Sequence, residues 1–406
     1  MLTAFWPSEN KTNTGVLPFD PWVVLCAGAL MLMGFVMISS ASMDVALERN
    51  GNPYFYVIRQ GIFMVLAIIG ACVVWRIPID FWQRTGHWWM LSAIVLLVAV
   101  LVPGIGREVN GSSRWIPVGP INLQASEVAK FCMVIYMGGY LVRRLNEVRT
   151  SWSGIAKPAL PLGIFVGLLY LEPDFGAAVV LMGTVMVMIF LGGMRFSQFI
   201  LIVSGALALL VALIGAQPYR MARLQTYLNP WDDPYGAGYQ LTQAQIAFGR
   251  GDWFGTGLGN SVQKLFYLPE AHTDFVFSVL AEELGFIGVV VLIMIYTVMV
   301  YRLFQIGRKA EKLNEFFMAY ITYGFTVIFA GQALINVGVN VGALPTKGLT
   351  LPLVSYGGSS LLVSCAMLAV ILRIDLELKK KQLAGDSPSA GKSNKKDIKE
   401  QEPAYG

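Results

Sequence analysis

Charge is scarce in this sequence. Of 406 residues only 14% are Asp, Glu, Lys or Arg, while 55% are hydrophobic and the mean hydropathy is +0.59. That balance excludes a soluble domain of this length. Histidine is scarcer still: His87 and His272 are the only two, which excludes a histidine-rich metal site. The four cysteines, Cys26, Cys72, Cys132 and Cys365, all lie inside apolar runs. There they read as small packing residues, not as disulfides or zinc ligands. No internal repeat is visible. Ser39-Ser-Ala41 has the small residues of a leader cleavage site, but the apolar run before it is too long for a leader and lacks a basic start. That run is therefore expected to remain as a span.

What the chain has in abundance is apolar runs long enough to cross a bilayer. Ten are expected, at 22–41, 58–75, 87–103, 124–142, 158–172, 175–193, 197–217, 274–301, 316–341 and 352–373. The expected fold is an all-α polytopic membrane protein of about ten transmembrane helices, with a large extracytoplasmic loop, residues 218–273, between helices 7 and 8. Residues 1–21 read as a cytoplasmic tail, 22–376 as the membrane domain and 377–406 as a disordered cytoplasmic tail rich in Lys and Ser. An even number of spans puts both termini on one side. Lys and Arg favour the cytoplasm for them, twenty against ten, and twelve against ten once the long C-terminal tail is set aside. The polar, motif-like loops then all face outward.

One stretch organises the rest: Leu268-Pro-Glu-Ala-His-Thr-Asp-Phe, running on to Glu282-Glu-Leu-Gly285. A polar loop ends here and an apolar run begins, with Glu270, His272 and Asp274 at the junction. Carboxylates at a membrane boundary are costly. One placed where the dielectric falls has a raised pKa, which suits a general base near neutral pH.

Four other stretches carry polar groups at span ends. In Arg114-Trp through Lys130, Ser126 is placed to cap a helix, and Glu127 and Lys130 are spaced to share its face. The pair is either a structural ion pair or, with Arg114, part of a phosphate-binding wall. Glu172-Pro-Asp-Phe-Gly176 is either a tight turn or a turn that aims Asp174 into a cavity. Asn229 to Gln243 mixes aromatic rings with amides and acids, which suits sugar binding or an ordinary packed loop; Gln240 and Gln243 would share one face of a short helix. Its glycines, and those at 249, 251, 255, 257 and 259, predict low backbone order unless something holds them. No strand precedes that glycine-rich segment, so it does not read as a nucleotide site. Pro345 to Ser360, with Lys347 and Ser355, is irregular backbone at membrane depth, which survives only where protein or water satisfies its amides.

Together these pieces resemble the SEDS family of polytopic peptidoglycan polymerases. The matching residues are Arg114-Trp, Gln124-x-Ser-Glu127-x-x-Lys130, Pro173-Asp-Phe-Gly176, Gly238-Tyr-Gln240-x-x-Gln243, Leu268-Pro-Glu-x-His-Thr-Asp274-Phe, Glu282-Glu-x-Gly285 and Ser355-Tyr-Gly-Gly-Ser-Ser360. They span nearly the whole chain in order. Asn260 to Lys264 and Pro345 to Thr350 are more similar to the family's division branch than to its elongation branch. Ala125 departs from the family, which usually has Pro there.

The resemblance implies a glycosyltransferase that polymerises lipid II, an undecaprenyl-diphosphate-linked disaccharide-pentapeptide, into β-1,4 glycan strands, with Asp274 in the position of the catalytic base. It implies a substrate site drawn from Arg114, Gln124, Glu127, Lys130, Asp174, Gln240, Gln243, His272, Glu283, Lys347 and Ser355. The leaving diphosphate needs positive charge, from Arg114, Lys130, Lys347 or a divalent cation (Mg2+ or Mn2+); no nucleotide is needed. The implied partners are a class B penicillin-binding protein, other membrane proteins of the division machinery and membrane lipids, with no nucleic acid. The implied location is the bacterial inner membrane at the septum. Two other readings compete: a lipid II flippase whose path is marked by Glu127, Lys130, Glu283, Asn336 and Asn340, and a non-catalytic scaffold.

Overall fold

The structure, a computed structural model, describes residues 18–109, 112–119, 121–215, 227–236, 238–345 and 348–385. Among them are eleven α-helices: α1 (Pro21–Asn50), α2 (Phe55–Arg76), α3 (Ile79–Leu101), α4 (Ala125–Thr150), α5 (Ser153–Leu171), α6 (Phe175–Leu191), α7 (Phe196–Gly215), α8 (Tyr239–Gly251), α9 (Val276–Lys312), α10 (Phe316–Asn340) and α11 (Gly358–Gly385). All but α8 coincide with the ten expected spans. Seven, α1 to α5 with α9 and α10, are long and apolar enough to cross a membrane, and α6 and the first part of α7 are shorter apolar helices. The chain is a multi-pass helical membrane protein. Its four cysteines are free; three are buried as expected, but Cys72 is exposed on α2.

The helices α4 and α10 form the centre: 83% and 72% of their apolar windows are buried, against 17–33% for the other five. Around them α3, α5 and α6 pack on α4, α6 and α9 pack on α10, and α1 and α2 close the ring with α9 and α11. Such outward-facing side chains as Ile62, Val65 and Ile69 are exposed because lipid, not protein, is their solvent.

Several ends differ from the hydropathy-based expectation. The helix α1 continues to Asn50, where Gly51 at φ +67° takes the left-handed cap position and its N–H closes on the Leu47 carbonyl at 2.9 Å. The helix α11 runs to Gly385, so residues 377–385 are helical where a disordered tail was expected. The polar turn is held by i,i+4 ion pairs, Arg373–Glu377 at 2.8 Å and Lys379–Asp375 at 2.7 Å, and Glu377 also accepts the Ile79 N–H at 3.2 Å. Residues 1–17 and 386–406 lie outside the described residues. The loop at 104–125 holds a small antiparallel sheet, which an all-α reading omits: β1 (Arg107–Val109), β2 (Ser112–Val118) and β3 (Ile121–Gln124), in that order. Gly119 at φ +60° begins the tight β2–β3 connection.

The glycine-rich part of the large loop is held by a break in α9. Gly285 has φ +68° and ψ −167°, a conformation open essentially to glycine alone. The helix amides and carbonyls freed there are met by the loop backbone. Thr256 and Gly257 donate to the carbonyls of Glu282 and Glu283 at 2.9 and 3.1 Å, and Phe286 and Ile287 donate to those of Asp252 and Trp253 at 2.8 and 3.2 Å. Side chains repeat the pattern. Glu282 accepts from Val262 N at 3.0 Å and Gln263 N at 3.3 Å, and Glu283 accepts from Ser40 Oγ at 2.6 Å and Lys264 Nζ at 3.0 Å.

A Cβ on Gly285 would stand 2.3 Å from Gly255 N. Gly285→Ala therefore combines backbone strain of about 1–3 kcal/mol with a main-chain clash. The expected outcome is a lowered midpoint of thermal unfolding in detergent, whereas Gly183→Ala, with open space around its Cβ position, leaves the midpoint unchanged.

Candidate active site

One end of the bundle holds a cavity of about 440 Å³. Its walls come from separate parts of the chain: the sheet and the start of α4, the α5–α6 turn, the turn before α9, and the irregular segment 348–360. Arg114, Gln124, Glu127, Asp174 and Asp274 all line it. Five of the twelve expected site residues are thus brought together.

Asp274 ends a compact turn. Glu270, in a left-handed conformation at φ +57°, accepts the N–H groups of Thr273 and Phe275 at 3.1 and 3.3 Å, and its carboxylate accepts the Thr273 hydroxyl at 2.8 Å. The Asp274 carbonyl accepts from the amides of Asn336 and Asn340, each at 3.0 Å. Its carboxylate faces the cavity beside the backbone of Gly348, where a Cβ would stand 2.9 Å from Oδ2. Among the described residues, no hydrogen bond supports that carboxylate. Burial, then the Glu270 charge, push its pKa up to about 7; Arg114 opposes the shift and Asp174 adds to it.

Asp174 is tied down differently. Its Oδ2 accepts from Ser126 Oγ at 2.8 Å and Gln124 Nε2 at 3.3 Å, and its Oδ1 accepts the Ala177 N–H at 3.3 Å, capping α6. Ser126 therefore does not cap α4, as its position suggested; it lies in the first turn and donates to the neighbouring element. Arg114 donates to the carbonyls of Glu172 and Pro173, which points its guanidinium at the same turn. Glu127 opens on the cavity and pairs with Lys130 at 2.8 Å, as the i,i+3 spacing predicted. Lys130 itself is fully buried behind it and does not line the cavity.

The remaining expected residues serve other purposes. Gln240 and Gln243 lie on α8, a short helix as predicted, but that helix packs along α9 and neither side chain reaches the cavity. Glu283 is consumed by Lys264 and Ser40. Ser355 Oγ accepts the Leu351 N–H at 2.8 Å and closes a turn. His272 is buried with its ring 4.9 Å from that of Tyr56 and 5.7 Å from that of Tyr356, and burial lowers its pKa. Lys347 lies outside the described residues.

Sequence reasoning missed three groups. Arg59 of α2 lines the cavity, stands over the Phe55 ring at 5.0 Å and hydrogen-bonds Tyr356, another lining residue. Its signal was a lone arginine inside an apolar run. Asn122, Ser359 and Ser360 add amide and hydroxyl groups to the wall. Glu172 was read only as part of a turn. It is fully buried, neither carboxylate oxygen has a hydrogen-bond partner among the described residues, and burial with Asp174 raises its pKa to about 8 against the pull of Arg114.

Among the described residues no three His, Cys, Asp or Glu side chains gather as a metal-ion site. Arg59 and Arg114 bring fixed positive charge to the cavity, and Asp274 is the lining carboxylate that no hydrogen bond from the described residues engages.

A mixed-charge cavity at one end of a helical membrane bundle defines a membrane protein with a polar site among its helix ends. The FtsW/RodA/SpoVE family of cell cycle proteins matches residues 21–380, and the chain belongs to that family. It is 54% identical over 373 residues to the probable peptidoglycan glycosyltransferase FtsW of Pseudomonas fluorescens, covering 92% of this chain and 91% of that protein. With the protein of the same description from Nitrosococcus halophilus it shares 53% over 379 residues, covering 93% and 97%. Among solved structures, a chain of a peptidoglycan synthase complex described as coordinating polymerization and crosslinking superposes with a TM-score of 0.75 at 31% identity, covering 89% of this chain and 99% of that one. The rod shape determining protein RodA of Thermus thermophilus gives 0.64 at 29%, covering 89% and 98%.

Breaking the Glu127–Lys130 pair from one side leaves a buried charge unanswered, at a cost of about 3–5 kcal/mol. Lys130→Met is expected to lower the thermal midpoint markedly. The swapped double variant, Glu127→Lys with Lys130→Glu, recovers most of it in the same unfolding measurement.

Proposed function

We propose that this protein is a peptidoglycan glycosyltransferase that polymerises lipid II, with Asp274 as general base. The observation that carries the reading is Asp274 itself: a carboxylate without hydrogen-bonded support from the described residues, facing a cavity that it shares with two arginines. The family and the names of the relatives support the same class of reaction.

Making a β-1,4 bond from an α-linked sugar diphosphate inverts the anomeric carbon. The acceptor 4-hydroxyl attacks that carbon as Asp274 takes its proton, and the anomeric carbon–oxygen bond breaks with its electrons leaving on the diphosphate. Arg114, with Arg59, supplies fixed positive charge for the departing diphosphate. Asn122, Ser359 and Gln124 suit hydrogen bonding to sugar hydroxyls. The undecaprenyl chain lies in lipid, and the cavity at the bundle's end lets the polar head reach the acid while the tail remains in the bilayer. The site faces the outer side of the cytoplasmic membrane at the division septum, with both termini in the cytoplasm. A class B penicillin-binding protein cross-links the strands; the likeness to a synthase complex that couples polymerization and crosslinking supports that partnership.

Purified protein with its transpeptidase partner, given labelled lipid II, is expected to make glycan strands. Asp274→Asn removes the base and is expected to lose about 10²–10⁴-fold in rate while still inserting and binding the partner. Near-parental polymerisation by a folded Asp274→Asn protein would overturn the assignment.

The pH dependence follows from the same group. A base works only deprotonated, and the Asp274 pKa is raised to about 7. Turnover should therefore fall about tenfold per pH unit below pH 7 and level off above it, read from initial rates between pH 5 and 9. A limb near pH 4, where an ordinary Asp titrates, would place the base elsewhere.

A further inference from the structure

The helix α10 carries two asparagines one turn apart, Asn336 and Asn340, in a segment otherwise apolar at that end. Both side chains are buried, 2% and 0% exposed. An amide buried in an apolar bundle costs free energy unless every hydrogen bond is made. Here the bonds are made, and all of them converge on one place. Asn336 Nδ2 donates to the Asp274 carbonyl at 3.0 Å and to the Leu349 carbonyl at 2.6 Å. Asn340 Nδ2 donates to the same Asp274 carbonyl at 3.0 Å and to the Asn336 carbonyl at 2.9 Å. Ser278 Oγ of α9 donates to Asn340 Oδ1 at 2.7 Å and so fixes which end of that amide faces Asp274.

We propose that Asn336 and Asn340, oriented by Ser278, are positioning residues that clamp the main chain of Asp274 against the 348–350 segment and hold its carboxylate toward the acceptor hydroxyl. This inference rests on Asp274 being the base.

The geometry is specific to that task. One nitrogen, Asn336 Nδ2, pins Asp274 and Leu349 together, and the residue next to Leu349 is Gly348, whose backbone borders the Asp274 carboxylate. Both lone pairs of the Asp274 carbonyl are used, so that peptide unit cannot rotate without breaking two bonds. The carboxylate, by contrast, is held by no hydrogen bond from the described residues and stays available to a substrate proton. The main chain is fixed so that the side chain need not be.

The clamp also fixes which neighbours the carboxylate meets. Glu270 in its own turn, Arg114 from β2 and Asp174 from the α5–α6 turn act on its charge, and Arg59, Glu127 and Tyr356 line the same cavity. None of these is altered by removing an asparagine. Loosening the clamp lets Asp274 hydrate and move toward an ordinary carboxylate pKa, so the acidic limb of the rate profile moves to lower pH while the rate falls.

The test measures kcat, KM for lipid II and the pH profile of the complex carrying Asn336→Leu, Asn340→Leu, Ser278→Ala or Asp274→Asn. Each asparagine variant is expected to lose about 100-fold in kcat, the scale of an ångström of misplacement, with KM little changed. Its acidic limb is expected to move down by about half a pH unit or more. Ser278→Ala, which removes one small group, is expected to shift both readouts in the same direction by less, and it decides the matter if the asparagine variants do not fold. Asp274→Asn separates the two levels of the argument. If Asp274→Asn is inactive but the clamp variants that fold keep parental kcat and limb, the clamp is overturned and the base stands. If Asp274→Asn polymerises normally, the base fails and the clamp falls with it. A drop in rate with an unmoved acidic limb also overturns the proposal, because it reduces the asparagines to general stability.

Discussion

Inside an apolar bundle a charge is tolerated only where another group answers it. That constraint explains most of the polar residues in this protein. Glu127 is answered by Lys130, Glu283 by Lys264 and Ser40, Asp174 by Ser126 and Gln124, and Asp20 at the far end by Arg302. Against that background Asp274 and Glu172 stand out as carboxylates left without hydrogen-bond partners among the described residues. For Asp274 the hydrogen bonds fall on the backbone, so that in the proposed mechanism the placing of the base is separate from the quenching of it.

The same constraint shapes α9. A helix that breaks inside a bundle exposes amides and carbonyls, and here a glycine-rich segment supplies the missing partners from both sides of Gly285. The glycines that predict disorder in isolation are the residues that let two backbones approach. Gly251 and Gly255 have carbonyl oxygens of α9 within about 2 Å of where a Cβ would be. Low backbone order is an intrinsic tendency of such a segment, and a neighbouring helix with unmet hydrogen bonds is enough to reverse it.

Much of this was legible in the sequence. Ten apolar runs became ten helices because hydropathy measures the solvent each run meets. Arg114, Gln124, Glu127, Asp174 and Asp274 converged because each stands where a polar segment meets an apolar one, and those junctions lie at one end of the bundle. What the sequence could not separate was polarity that meets a ligand from polarity that completes the fold. Glu283, His272 and Ser355 sit in equally polar motifs yet are turned to loop, ring and turn partners. The short strands were invisible because three, seven and four residues, interrupted by Arg and Pro and flanked by Gly, carry no clear alternation. Arg59 was read only as a charge to be counted, since its place in the cavity depends on how α2 packs against Tyr356.

The strand β3 passes into α4 without a linking residue: Gln124 is the last of one and Ala125 the first of the other. Gln124 is also in register with Trp115, and its N–H is held by Ser359 Oγ at 3.0 Å. The hairpin therefore indexes the helix. Adding or deleting one residue within β3 would turn α4 by about 100° and shift it by about 1.5 Å, carrying Glu127 off the cavity wall and Lys130 out of its buried place behind it. The two-residue β2–β3 connection is under no such restriction. Length changes in related chains should accordingly gather at that tip and be absent from the four residues that follow it, so that a gap pattern in the hairpin reports on the helix below.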